Sequence, residues 1–330
     1  MHLLSLPVYK SLQEGEMKIL VTGSTGFVGE RVCSLATKRE WNVRSVVRRH
    51  ALADDNTVML SSIDADTDWS GALKNIDCVV HCAARVHQME ETKFDVLAAY
   101  REVNTLGTLN LARQASKAGV KRFVFISSIK VNGEYTEQGE PFQPHASSPP
   151  IDPYGLSKYE AEVGLKELAA ETDLEVVIIR PPLVYGPGVK ANFLSLLRWT
   201  KKKIPLPFGA IYNQRSLVYV DNLADLILEC CLNPNAQGKV FLVSDDHDVS
   251  TTELLSCVAK QMGKPNRLIP IPASWLKGAS TLIGKPAIGQ RICSNLQVDI
   301  SDTKCTLNWQ PPVSFEQGIR NTVKAYLDSE

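Results

Sequence analysis

"MKILVTGSTGFVGERV" (17–32) begins as a short apolar run and breaks into a glycine-rich turn before a helical pattern. Residues 17–23 read as a buried strand, and 27–39 carry apolar residues at helical spacing. Gly23, Gly26 and Gly29 lie between and within them, with Thr25, Phe27 and Val28 interleaved. The first glycine permits a tight turn. The second lets the backbone approach a pyrophosphate, and the third lets the helix pack close to the strand. The helix N-terminus then offers N–H donors and positive potential to phosphates. The spacing is GxxGxxG rather than the commoner GxGxxG. A purely structural turn is the alternative, but strand, turn and helix together favour a dinucleotide site.

Outward from this turn, strand and helix signals alternate. "NVRSVV" (42–47), "VMLSSI" (58–63), "IDCVVHCAA" (76–84), "RFVFISS" (122–128) and "LEVVIIR" (174–180) read as strands. Helical stretches cover 92–118 and 154–171. Near-continuous apolar strands alternating with helices imply an α/β fold, a Rossmann-type doubly wound parallel sheet covered on both faces. After Arg180 the chain becomes rich in Pro and Gly. The expected division is an extension at 1–16, a dinucleotide-binding domain at 17–185, and a smaller C-terminal substrate-binding region at 186–330. Within the last, 215–250 partly return to the main sheet, "KVFLVS" (239–244) as a strand.

The 330 residues, 44 % of them hydrophobic, suffice for a large core. With 36 basic and 36 acidic side chains, nucleic-acid and membrane-surface partners are disfavoured. "RWTKKK" (198–203) is the local exception and reads as a solvated helix end. The eight cysteines include no CxxC pair and suit reduced, buried thiols of a cytoplasmic protein; no zinc-ligand spacing occurs, so no metal is expected. No run reaches the roughly 18 apolar residues of a membrane helix, and the N-terminal stretch does not read as a signal peptide.

"DPYGLSK" places Tyr154 and Lys158 four apart, on one face of a helix. Ser127 and Ser128 end the fifth strand, and ligands of such sheets lie outside the carboxyl ends of the strands. A free phenol, with a pKa of about 10, is a poor base at neutral pH. A nearby ammonium lowers that value, and a serine hydroxyl can hold the substrate oxygen as its proton moves. The trio suits hydride transfer at a carbon bearing that oxygen.

With these residues in place the chain resembles the extended short-chain dehydrogenase/reductase family, in particular its UDP-galactose 4-epimerase-like nucleotide-sugar enzymes. The likeness runs from Met17 to Trp309 through "TGSTGFVG", "DCVVHCAA", "NTLGTLN", "SSIKVNG", "PYGLSK", "RPPLVYGPG", "RSLVYVDNLA" and "LNWQPP". It implies Ser128, Tyr154 and Lys158 as catalytic residues, Lys158 also holding the nicotinamide ribose. Ser62, Ile63, Ala83, Ala84 and Pro181 fall at cofactor positions, and Asn104 at a helix on the cofactor side. The implied substrate is a nucleotide sugar, with Arg215 and Arg291 at the diphosphate, Asn192 on the nucleotide side, and Arg85 and His87 beside the sugar. Relatives often form homodimers.

The chain departs from the family at three places. Ser62 stands where an acid often meets adenine, and Asn132 where the family has tyrosine. Arg48, followed by Arg49, stands at the tip of the second strand, where an acid selects NAD. Arginines there favour a 2′-phosphate, hence NADP(H), with NAD(H) the alternative. The expected activity therefore leans to NADPH-dependent 4-ketoreduction of a UDP-4-keto-6-deoxy-hexosamine for polysaccharide synthesis. The alternative is a UDP-glucose or UDP-N-acetylglucosamine 4-epimerase with tightly bound NAD. A non-catalytic NADP-binding sensor is more distant, because the catalytic trio is intact.

Overall fold

The computed structural model describes residues 17–48, 56–86, 96–145 and 148–329. The strands are β1 (Lys18–Thr22), β2 (Asn42–Val47), β3 (Thr57–Met59), β4 (Cys78–His81), β5 (Arg122–Ile126), β6 (Glu175–Arg180), β7 (Leu183–Tyr185), β8 (Arg215–Tyr219), β9 (Val240–Leu242) and β10 (Asp248–Val249). Seven of them form a parallel sheet in the order β3-β2-β1-β4-β5-β6-β9, and β10-β8-β7 form a smaller one. The order reverses at β1, between β2 and β4, which opens a crevice outside their carboxyl ends.

The helices are α1 (Phe27–Lys38), α2 (Val96–Tyr100), α3 (Thr108–Lys117), α4 (Pro153–Glu171), α5 (Ala191–Lys201), α6 (Val220–Leu232), α7 (Thr251–Gln261), α8 (Ala273–Leu282), α9 (Pro286–Cys293), α10 (Ser301–Leu307) and α11 (Phe315–Asp328). Alternating residues of each strand serve opposite faces, as the period of two demands. Ile19, Val21, Val80 and Val124 pack with Val32 and Ala36 of α1 and with α6. Leu20, Val79, Phe123 and Phe125 pack with Leu111 and Ala115 of α3 and Ala161 and Leu165 of α4. The sheet is therefore doubly wound. A third core joins β7 and β8 to α5, α7 and α11 through Tyr185, Phe193, Leu217, Val258 and Ile319.

Two expectations change in detail. The third strand ends at Met59, so Ser62 and Ile63 lie in a loop. The helical stretch expected at 92–118 is α2 and α3 joined by a π-helical turn, Arg101–Gly107; its first residues, to 95, lie outside the described residues. The extension at 1–16 also lies outside them.

Candidate active site

The turn after β1 leaves an open cradle. Gly23 has φ 66°, in the left-handed region. A Cβ on Gly29 would sit 2.2 Å from the Gly23 carbonyl oxygen, so only glycine lets α1 start this close. Gly26 caps α1 with no side-chain acceptor, which leaves the first-turn N–H groups open. Thr25 and Gly26 are exposed there, while Phe27 and Val28 pack inward against two cores. These groups fit a dinucleotide pyrophosphate.

Beyond β4 the wall of the crevice is held by buried polar groups. Asn104, fully buried in the π-helical turn, accepts from Arg85 N–H (2.8 Å) and donates to Arg85 O (3.1 Å) and Ser157 Oγ (3.1 Å). It ties the loop of Ala83, Ala84 and Arg85 to α4. Thr108 Oγ1 donates to Asn104 O, so it accepts from His81 Nε2 at 3.0 Å. His81 Nδ1 must then accept from Thr22 Oγ1 at 2.7 Å. Burial lowers His81 to about 3, so the ring is neutral and its tautomer fixed. Arg48 follows β2 and is exposed; Ser62 is exposed and its hydroxyl bonds Asp64; Ile63 packs against Gly107. Arg49 and His87 lie outside the described residues.

Ser128 and Tyr154 come together through two local devices. Asp152 caps α4 by accepting from Gly155 N–H (2.8 Å), with Pro153 in the first turn. Ser128 caps the short turn Ile129–Val131 by accepting from Lys130 N–H (3.2 Å). A Cβ at Gly155 would meet Lys130 O at 2.9 Å, so glycine is what lets α4 approach this turn. Lys130 Nζ lies 3.0 Å from Asp152 and 3.3 Å from Glu134, which locks turn and helix together.

Burial, then the charge of Asp152, pushes the Tyr154 phenol up to about 12, and a hydrogen bond from Ser128 offsets part of this. Lys158 is buried one helical turn on and lowered by burial to about 8. Its Nζ donates to Ile126 O (2.9 Å) and lies 4.5 Å from the Phe125 ring centroid. The sequence suggests an ammonium that lowers the phenol; here burial raises the phenol, and the Lys158 ammonium is engaged with β5.

A buried network lies behind them. Ser127 Oγ donates to Glu162 (2.5 Å), which also accepts from Arg180 at 2.9 and 2.5 Å. Arg180 reaches Asn132 Oδ1 and Pro144 O, both at 2.9 Å. Asn132 donates onward to Gln143 O (2.7 Å). The residue in the family's tyrosine place thus braces the 143–145 segment and does not line the cavity. Sequence reasoning missed Glu162 as a member of the site's frame; its signal was a glutamate one helical turn after Lys158.

A cavity of about 280 Å3 brings Ser128, Tyr154, Pro181, Arg215 and Arg291 together. Lys130, Glu134 and Gln290, which sequence reasoning did not single out, share its wall. Arg215 donates to Arg291 O (2.9 Å) and Ser294 O (3.2 Å). Desolvation, then the charge of Arg291, lowers the Arg215 pKa. Two guanidiniums that raise one another's energy suit an anion of high charge. Asn192 sits exposed on the first turn of α5, outside this wall.

Residues 19–244 match the NAD dependent epimerase/dehydratase family. The chain is 52 % identical over 314 residues to a Vibrio cholerae protein named UDP-glucose 4-epimerase, covering 94 % of this chain and 96 % of that one. Among solved structures it resembles UDP-glucuronic acid 4-epimerase from Bacillus cereus in complex with NAD (TM-score 0.76, 21 % identity, 95 % and 99 % covered). It also resembles UDP-glucose 4-epimerase of Thermotoga maritima with UDP-glucose (TM-score 0.70, 23 % identity, 95 % and 99 % covered). The glycine cradle, the serine and tyrosine at the carboxyl edge and these likenesses agree: the chain belongs to the NAD dependent epimerase/dehydratase family.

Proposed function

We propose that the protein is a UDP-hexose 4-epimerase that keeps NAD bound through its cycle. The observation that carries this reading is the 52 % identity, across nearly the whole of both chains, with a UDP-glucose 4-epimerase. It weighs against the 4-ketoreductase to which the basic tip of β2 points.

Bound NAD supplies the acceptor and then the donor of one hydride, so none is consumed overall. Tyr154 takes the proton of the sugar C4 hydroxyl and later returns it to the same oxygen, while the change of face belongs to the hydride on C4. Ser128 holds the same oxygen through both halves. Arg215 and Arg291 grip the diphosphate, leaving the sugar free to turn between the two half-reactions. Lys158 lowers the phenol once it lets go of Ile126 O. Exposed Arg48 leaves room for a 2′-phosphate, so NADP binds in competition.

The test is incubation of the purified protein with UDP-glucose and UDP-N-acetylglucosamine, following products by NMR and nicotinamide absorbance together. Interconversion of gluco and galacto forms with no net absorbance change is expected. Stoichiometric NADPH loss with a 4-keto-6-deoxy UDP-sugar, and no interconversion, would restore the reductase. Tyr154→Phe is expected to lower turnover by about 10²–10⁴-fold with substrate affinity kept; an undiminished rate removes the mechanism.

A further inference from the structure

Helices α8 and α9 form a hairpin whose buried side is small and whose open side is apolar. The two touch where Gly289 meets Ser280: a Cβ on the glycine would lie 2.1 Å from the serine Oγ. Ser280, Gly289 and Cys293 are the buried residues of the pair. Trp275, Leu282 and Ile283 are 71, 90 and 70 % exposed, and Ile288 is also exposed. A helix that packs on its own protein buries its large apolar side chains; this hairpin does the reverse.

The charge of the chain segment that carries it is one-sided. Between Glu253 and Asp299 the only charged side chains are Lys260, Lys264, Arg267, Lys277, Lys285 and Arg291. The chain as a whole is neutral, so this is a local excess. The basic run at the end of α5 adjoins it, since Leu206 bridges Leu268 and Arg267 donates to Lys203 O.

The hairpin is firmly attached. Ala210 bridges Pro272 before α8, and Asn213 and Thr251 both donate to Ile292 O at the end of α9. It also rims the active-site cavity through Ala287, Gln290 and Arg291.

We propose that the α8–α9 hairpin seats the enzyme on an anionic lipid surface, with Trp275, Leu282 and Ile283 entering the headgroup boundary. Tryptophan and aliphatic residues flanked by lysines suit that boundary, and cations near a negative surface add to the attraction. A second copy of the chain fits less well. A two-fold contact through this face would bring its cations against their own images.

The test is co-sedimentation of the full chain with vesicles of phosphatidylcholine alone and with added phosphatidylglycerol. Binding is expected with phosphatidylglycerol and is expected to weaken with salt. Trp275→Ser/Leu282→Ser/Ile283→Ser and Lys277→Glu/Lys285→Glu are each expected to lower partitioning by about tenfold or more. These side chains are exposed, so both variants should keep the parent unfolding midpoint. No binding, equal binding to phosphatidylcholine alone, or wild-type partitioning by both variants overturns the proposal. So does a larger oligomer that the triple variant splits in the absence of vesicle binding.

Discussion

Lys158 couples the site to stability at the scale of one residue. Burial lowers its pKa to about 8, against 10.5 in an unfolded chain. Below pH 8 both states hold the proton, and the cost of burying the charge is fully present. From about pH 8 to 10.5 the unfolded chain holds a proton that the folded chain has lost, so stability rises with pH. The gain is on the order of 3 kcal/mol. Burial pushes the thiols of Cys82, Cys230 and Cys231 up, which costs stability above about pH 9, so the readout is a difference. In urea unfolding of cofactor-free protein, wild type should gain stability relative to Lys158→Met from about pH 8 to 10.5, and parallel profiles would contradict the assignment. Arg48 supports a second expectation. Arg48→Asp should weaken NADP binding by about tenfold or more and leave NAD binding nearly unchanged, read by fluorescence titration. Unchanged NADP affinity would remove Arg48 from the cofactor site. Tyr154 and Lys158 were legible in the sequence because four residues on a helix is a fixed distance, and Ser128 through the family resemblance of "SSIKVNG". The perturbations of Tyr154 and Lys158 were not, since desolvation depends on neighbours brought from β4, β5 and the π-helical turn.

At the scale of elements, one ion pair joins the pieces that carry the site. Glu162 and Arg180 are 1 and 2 % exposed, on α4 and β6, and Ser127 ties them to β5. Removing one partner of such a pair strands the other charge. Glu162→Gln is therefore expected to cost about 3–5 kcal/mol, read by denaturant unfolding. A cost below about 1 kcal/mol, the value of an exposed pair, would mean the pair is solvated. The parallel strands were legible from their apolar runs. The π-helical turn was not, because its sequence keeps the same helical periodicity as α3. The backbone slip that buries Asn104 against Arg85 is fixed by those tertiary hydrogen bonds.

At the scale of the molecule, the neutral net charge says little about local charge. An average over 330 residues hides a long segment with no acid, and periodicity alone did not say that the apolar side of α8 and α9 stays open. The glycine turn, by contrast, announced the sheet it begins. That sheet is closed late in the chain. β6 ends at Arg180, and its neighbour β9 starts at Val240, with Thr303 of α10 then bonding Leu242 O. Until that strand arrives during synthesis, the "VVII" of β6 is an unpaired, uncharged edge, ready to add the strand of another chain. A fragment ending at residue 238 is expected to aggregate where the full chain stays dispersed, and light scattering on refolding would register the difference. The order of synthesis thus leaves the enzyme a window of vulnerability that its finished fold conceals.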